Sequence, residues 1–144
     1  MSDAGEFTVL VGVRGYETDA QGHVNQSVYL QYAEHARWQH FQAAGITQAA
    51  ILAAGTAPVV LELNVRFKKE LRAGEEVTVS CVFEWSDRSV YRARQTIRKA
   101  DGTIAAELSG VGGVLDMSRR TLVTDPVAAL RKLATDPAAL GLPG

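Results

Sequence analysis

The sequence predicts an α+β fold in which an antiparallel sheet packs against one long helix. Five segments alternate apolar and polar residues with the period of two that is typical of half-buried strands, and one segment of about 18 residues has helical composition and period. Strands and helices do not alternate along the chain, which argues against a parallel sheet built from βαβ units. The length of 144 residues predicts a single domain over 1–144.

The first strand and the long helix are separated by a polar loop. Phe7 to Arg14 alternates with the period of a strand, and the loop after it is rich in Gly, Asp, Asn, Gln and His. Strong helix formers predominate from Ser27 to Ala44. Asn25 or Ser27 can act as the N-cap of this helix, and Gly45 is typical of the position that follows its last turn.

Four more strands are predicted after the helix, joined by tight hairpins. Their ranges are Val59 to Lys68, Val77 to Trp85, Tyr91 to Arg98 and Thr103 to Asp116. The Asp101-Gly102 pair is the strongest hairpin signal among the turns. Three glycines in the last strand predict a bulge or the close approach of another backbone, namely Gly110, Gly112 and Gly113. Asp125-Pro126 then opens a short C-terminal helix that ends at Ala134 and is followed by a tail.

Composition narrows the classes of function. Fifteen Lys and Arg residues face sixteen Asp and Glu residues, so no global positive field would gather nucleic acid or an anionic membrane. The single cysteine, Cys81, lies on the apolar face of its strand, and we expect a core residue rather than a nucleophile, a disulfide or a metal site. No leader or membrane-spanning run is visible, so we expect a cytoplasmic protein. One long helix can cover only one face of the sheet, and the other face needs shielding. We therefore expect a homodimer or homotetramer.

The polar loop before the helix concentrates groups that suit acyl transfer. Asp19, His23 and Asn25 supply a carboxylate, an imidazole and an amide just ahead of the helix N-terminus. The unpaired N–H groups at that terminus can polarise a carbonyl oxygen, and Asp19 is close enough to act as base or nucleophile. The alternative is structural: Asp19 and Asn25 are then turn and cap residues, and His23 is an ordinary loop histidine.

The same residues carry a resemblance to a known family. The run from Tyr16 to Asn25, followed by Tyr29-Leu30 and by Glu34 to Arg37, resembles the signature of hot-dog-fold acyl-CoA thioesterases of the 4-hydroxybenzoyl-CoA thioesterase family. The likeness extends over most of the chain, up to about Asp125. It implies a five-stranded antiparallel sheet wrapped around the long helix. It also implies hydrolysis of an acyl thioester by water, with no metal and with coenzyme A present only as part of the substrate.

The resemblance also implies a role for individual loop residues. Asp19 matches the catalytic carboxylate of the family, which is a nucleophile in some members and a general base in others. The backbone N–H groups near Gln26 match the donors that polarise the thioester carbonyl, so Gln26 is expected to act through its main chain. His23 and Asn25 resemble polar groups that orient the carboxylate, the water or the thioester.

Four more residues are site candidates. Tyr29 and Arg37 lie eight residues apart on about the same helical face, so one can reach the site while the other lines a subunit boundary. Arg88 and Ser89 match the place where the family binds CoA phosphates, and the planar guanidinium group suits a phosphate.

Two alternative functions remain open. Thioesterases of enediyne polyketide pathways have a similar fold and use an arginine at the position of Arg37. This similarity suggests that the substrate is an acyl group attached to an acyl carrier protein. These enzymes generally lack the loop carboxylate that Asp19 supplies here. A non-catalytic acyl-CoA-binding protein would keep the fold and the CoA contacts without needing Asp19.

Overall fold

The computed structural model describes residues 6–143, which contain three α-helices and six β-strands. The strands are β1 (Phe7–Gly12), β2 (Thr56–Phe67), β3 (Glu76–Glu84), β4 (Tyr91–Lys99), β5 (Ile104–Asp116) and β6 (Thr121–Leu122). The helices are α1 (Gln26–Ala43), α2 (Gln48–Ala54) and α3 (Pro126–Leu133). In this part of the chain, no helix combines the length and the apolar character that crossing a membrane requires.

The six strands form one antiparallel sheet in the order β1-β3-β4-β5-β2, with β6 paired to β5. The predicted hairpins from β3 to β4 and from β4 to β5 are confirmed, because these strands are neighbours. The predicted hairpin from β2 to β3 is wrong, since β2 pairs with β5 and β3 lies between β1 and β4. The turn before β3 bonds instead to the end of β1: Gly74 N–H donates to Val13, and Val13 N–H donates to Glu75, both at 2.9 Å.

Helix α1 has both of its predicted end signals. The side-chain oxygen of Asn25 accepts the backbone N–H of Ser27 at 3.0 Å, so Asn25 is the N-cap and Ser27 lies inside the helix. After the last turn, Gly45 adopts a left-handed conformation with φ of 87°. The next N–H, from Ile46, then bonds back to the carbonyl of Phe41 at 2.9 Å, as in a Schellman motif.

Helix α2 is not among the predicted elements, although both of its ends carry sequence signals. The hydroxyl of Thr47 accepts the N–H of Ala50 at 3.1 Å and caps the first turn. Gly55 closes the helix in the left-handed conformation. The short C-terminal helix is confirmed as α3, with Asp125 accepting the N–H of Ala128 at 3.0 Å.

The described residues divide into two compact units. The first comprises 6–38, 64–82 and 94–108, and the second comprises 39–63, 83–93 and 109–143. In the first unit, one face of α1 packs against the sheet through a buried apolar cluster. Its helical members are Val28, Tyr29, Tyr32, Ala33 and Ala36, and its strand members include Val77, Val79, Ile97, Ala106 and Leu108. This cluster anchors the start of α1, and therefore the loop that precedes it.

Aromatic rings form the centre of the second unit. The Phe83 ring lies 4.9 Å from that of Phe41 and 5.3 Å from that of Trp85, measured between centroids. The indole N–H of Trp85 donates to the carbonyl of Leu140 at 2.7 Å. The C-terminal segment, which lay beyond the family resemblance, is thus part of the packing of this unit.

Cys81 is a core residue, as predicted. It lies in β3 with 1% of its surface exposed. Burial raises the pKa of its thiol to about 12, and the positive charge of Arg37 offsets only part of that effect. A thiol that stays protonated and inaccessible at neutral pH is a poor nucleophile.

The glycines of β5 mark close approaches, as their positions in the sequence predict. A Cβ placed on Gly110 would lie 3.2 Å from the backbone oxygen of Glu62. A Cβ placed on Gly112 would lie 2.7 Å from Cζ of Tyr91, so at this position the neighbour is an aromatic ring. Both contacts lie within the second unit.

Replacing Gly112 with alanine is expected to lower the free energy of unfolding by about 1–3 kcal/mol, because the Tyr91 ring must move. Urea denaturation measures this loss. The matched control is Gly12→Ala in β1, where a new Cβ meets no atom within 4 Å among the described residues. The control is expected to change stability by less than about 0.5 kcal/mol. Equal midpoints for the two variants would contradict the close packing at Gly112.

Strand β2 is the most exposed strand of the sheet, and it lies at an edge. The sequence predicts that Val59, Leu61 and Leu63 line an acyl tunnel or fill the core. Leu61 (46%) and Leu63 (37%) are exposed, as are Val60 (49%) and Phe67 (49%), so these two leucines do not fill the core of the chain. A long apolar edge strand favours association with another chain, because its backbone can form hydrogen bonds with that chain and its side chains can pack against it.

Candidate active site

The segment between β1 and α1 forms a small hairpin with Asp19 at its turn. Thr18 pairs with Val24 across the hairpin, and the Asp19 N–H donates to the His23 carbonyl at 2.8 Å. The N–H of Gly22 donates to the Asp19 carbonyl at 3.0 Å, and Gly22 has a φ of 80°, which glycine adopts without steric cost. The polar loop of the sequence is therefore an ordered turn.

The Asp19 carboxylate is exposed, and its two oxygens have different surroundings. Oδ1 accepts the N–H of Gln21 at 2.9 Å and the N–H of His23 at 3.2 Å. Within residues 6–143, Oδ2 accepts no hydrogen bond. One oxygen thus orients the carboxylate, as a turn residue does, while the other is available to act as a base or a nucleophile.

The hairpin leads directly into the N-terminus of α1. Asn25 caps the helix through its side chain, so Gln26 is the first helical residue. No acceptor in the described part of the chain binds the backbone N–H of Gln26. This N–H lies at the positive end of the helix dipole, where it can donate to an oxygen that gains negative charge.

His23 contacts the Asp19 carboxylate through its backbone, and its imidazole binds other residues. Nε2 of His23 lies 2.9 Å from Oε2 of Glu70 and 3.4 Å from Nη2 of Arg72. Arg72 in turn lies 3.3 Å from the same carboxylate oxygen. These side chains are partly exposed, so their contacts add little stability. Glu70 and Arg72 precede β3 at turn positions that carry no sequence signal for this contact.

Tyr29 and Arg37 have partners away from the hairpin. The buried Tyr29 donates its hydroxyl to the carbonyl of Lys69 at 3.0 Å, and burial raises the pKa of this tyrosine. Nη1 of Arg37 donates to Oε1 of Gln95 at 2.8 Å. Arg37 lies eleven residues after Gln26, which is about 16 Å along the helix axis. The fold therefore does not bring Arg37 to the helix N-terminus.

A buried carboxylate at the base of the hairpin was not among the site candidates. Oε1 of Glu17 accepts the hydroxyl of Tyr32 at 2.5 Å and the backbone N–H of Arg14 at 2.9 Å. Burial by itself would raise the pKa of Glu17, but these hydrogen bonds and the Arg14 charge hold it below its usual value. The sequence does not signal this pair, because Tyr32 is equally well explained as one of the apolar residues with which α1 packs against the sheet.

Arg88 and Ser89 lie in the second unit, in the turn between β3 and β4. The backbone N–H of Arg88 donates to Oγ of Ser86 at 3.2 Å, so the turn is ordered, and the Arg88 side chain is exposed. A guanidinium group in this position can contact a phosphate, and CoA binding here stays a prediction. Residues 6–143 hold no cluster of three His, Cys, Asp or Glu residues able to bind a metal ion.

Comparison with known proteins identifies the family. A family model described as the thioesterase-like superfamily matches residues 13–139. The acyl-acyl carrier protein thioesterase ATL3 of Arabidopsis thaliana is 36% identical over 67 residues, which cover 46% of this chain and 35% of that protein. The long-chain acyl-CoA thioesterase FadM of Escherichia coli is 30% identical over 70 residues, which cover 49% of this chain and 52% of that protein.

A solved structure shows the same fold over nearly its whole length. The hypothetical protein TT1821 of Thermus thermophilus superposes with a TM-score of 0.77 and 29% identity, over 89% of this chain and 97% of that one. The chain spans only about a third of the Arabidopsis relatives that it matches. The antiparallel sheet with its packed helix is the hot-dog fold that the loop motif implies. Since the family model matches most of the sequence, including the hairpin and α1, the chain belongs to the thioesterase-like superfamily.

Proposed function

We propose that this protein hydrolyses an acyl-CoA thioester to a free acid and a thiol, with water as the only cosubstrate. The observation that carries the proposal is the hairpin, which presents Oδ2 of Asp19 and continues directly into the free N–H of Gln26. Family membership and the similarity to known thioesterases support a thioester as the substrate. The single buried thiol of Cys81 fits a reducing compartment, and we place the activity in the cytoplasm.

In this mechanism, the Gln26 N–H donates to the thioester carbonyl oxygen and stabilises the negative charge that develops there. Asp19 then acts in one of two ways. As a nucleophile, Oδ2 attacks the carbonyl carbon, the C–S bond breaks, the thiolate leaves, and water hydrolyses the resulting mixed anhydride. As a general base, Oδ2 accepts a proton from the water whose oxygen attacks the same carbon, the C–S bond then breaks, and the proton passes from Oδ2 to the departing thiolate. Both routes return the carboxylate.

The other candidates take supporting roles in this proposal. His23 orients Asp19 through its backbone N–H, and Asn25 fixes the first turn of α1. Tyr29 and Arg37 support α1 through their bonds to Lys69 and Gln95. Arg88, with Ser89 beside it, binds phosphate groups of coenzyme A.

A thiol-release assay with a chromogenic disulfide tests the function. The panel contains short, medium and long aliphatic acyl-CoAs, aromatic acyl-CoAs, and the same acyl groups on an acyl carrier protein. Turnover of one acyl-CoA class at a rate well above buffer hydrolysis is the expected result. Turnover restricted to the carrier-protein substrates would replace coenzyme A by the carrier protein in the proposal. Thermal stabilisation by acyl-CoA without any thiol release would indicate the non-catalytic binding protein instead.

We further propose that a second copy of the chain covers β2, which makes the protein a homodimer or a multiple of one. The support is an edge strand of twelve residues that exposes four large apolar side chains.

The double variant Leu61→Lys/Leu63→Lys is expected to be monomeric, because two charges on this strand would be desolvated on pairing. Light scattering coupled to size exclusion gives the mass of each form. The control is Leu52→Lys, which adds the same charge at an exposed leucine of α2 and should keep the oligomer. A wild-type chain with the mass of one copy would contradict the proposal.

A further inference from the structure

The strongest unassigned feature is the buried Glu17 carboxylate beneath the Asp19 hairpin. Glu17 is 9% exposed, and both of its carboxylate oxygens are bound. Oε1 accepts the Tyr32 hydroxyl and the Arg14 N–H, while Oε2 lies 3.3 Å from Nη1 of Arg14. A carboxylate in such a place is costly unless its bonds are complete, so this arrangement holds Glu17 in one position.

Glu17 connects helix α1 to both sides of the hairpin. On one side it is followed by Thr18 and then by Asp19. On the other side, its backbone carbonyl accepts the N–H of Asn25 at 3.1 Å, and Asn25 immediately precedes Gln26. The side chain of Glu17 is bound to Tyr32, which lies in the second turn of α1 and is 3% exposed.

We propose that Glu17 and Tyr32 are positioning residues, which set the orientation of Asp19 relative to the Gln26 N–H without touching the substrate. The inference rests on the proposed hydrolase function of this loop. The buried residue Tyr32 holds Glu17 through its hydroxyl, and Glu17 holds the hairpin base through its side chain and its backbone carbonyl. Reacting groups need accurate placement, and a shift of about 1 Å can cost about 100-fold in rate.

The test removes one oxygen atom with Tyr32→Phe. The variant keeps the buried ring and loses the bond to Glu17, and we expect kcat to fall about tenfold with KM nearly unchanged. The matched control is Tyr91→Phe, which also removes the hydroxyl of a buried tyrosine but at a position in β4, outside the hairpin and α1, and its kcat should stay within about twofold of wild type. Glu17→Gln, which keeps an acceptor at Oε1 and removes the charge, serves as the second variant. The kcat of Glu17→Gln should lie between the values of wild type and Tyr32→Phe.

A double variant separates positioning from a general loss of stability. If Tyr32 acts through Asp19, then Tyr32→Phe should lower kcat no further in an Asp19→Asn background, because the group that it positions is already disabled. A further tenfold loss there would overturn the proposal. If Asp19→Asn alone leaves turnover intact, the proposed function of the loop fails, and this result is distinct from a failure of positioning.

A second readout does not depend on activity. The amides of His23 and Asn25 are bound within the hairpin, to Asp19 Oδ1 and to the Glu17 carbonyl. Hydrogen exchange at these two amides should accelerate about tenfold or more in Tyr32→Phe and stay unchanged in Tyr91→Phe. Unchanged exchange together with unchanged kcat in Tyr32→Phe and Glu17→Gln would show that the buried pair does not hold the hairpin.

Discussion

Replacing Asp19 with asparagine is expected to lower kcat for thioester hydrolysis by at least about 100-fold while the chain stays folded. The asparagine keeps an oxygen that can accept the N–H groups of Gln21 and His23, so the turn should survive. It lacks the carboxylate charge, and an amide can neither accept the proton of water effectively nor attack the thioester carbonyl. The thiol-release assay measures the loss with the best acyl-CoA of the panel.

The chain offers a matched control at Asp101. Oδ1 of Asp101 accepts the N–H of Thr103 at 2.9 Å in an exposed turn, which resembles the bond between Asp19 and Gln21. Asp101→Asn therefore makes the same chemical change in the same kind of turn, outside the candidate site. The thermal stability of Asp101→Asn should match that of Asp19→Asn, and its turnover should match that of wild type. Equal activity of both variants would remove Asp19 from the mechanism.

Replacing Gln26 with proline is expected to lower kcat by about 100- to 1,000-fold, the cost of losing one donor to the developing oxyanion. Gln26 is the first residue of α1, and proline is well tolerated at this position because the N–H bonds to no acceptor in the helix. Proline also favours an extended preceding residue, which suits the N-cap Asn25. The substitution thus deletes the proposed catalytic N–H with little effect on the fold.

Gln26→Ala distinguishes the backbone from the side chain. It retains the N–H and removes the amide side chain, so near wild-type turnover is expected if Gln26 acts through its main chain. Circular dichroism of both variants should give the same helix content. A proline variant that is folded and still active would show that the carbonyl oxygen is polarised elsewhere, whereas an inactive alanine variant would implicate the side chain.

Local signals in the sequence account for most elements of the fold. The ends of α1 follow from Asn25 and Gly45, because capping depends on residues within one turn of the helix. Strand faces follow from the alternation that buries Tyr91, Ala93 and Ile97. The partner of β2 does not follow, since a period of two indicates a buried face and carries no information about which strand lies alongside.

The candidate site, like the fold, was predictable only where its signals are local in the sequence. Asp19 and Asn25 are candidates because the loop concentrates polar groups just ahead of a helix and resembles a family motif, and both signals lie within a few residues of sequence. The bond between Glu17 and Tyr32 spans fifteen residues and forms only because α1 packs beneath the loop. Such a contact depends on tertiary packing, which one sequence does not reveal.

The burial of Cys81 makes the thiol chemistry of this protein unusually simple to follow. A folded chain presents its one thiol neither to solvent nor as a thiolate, so it should not react with an aromatic disulfide during a turnover assay. The colour that develops then reports only thiol freed from the substrate. In denaturant, each chain exposes one thiol, so the same reagent counts protein molecules. The slow reaction under native conditions measures how often β3 opens.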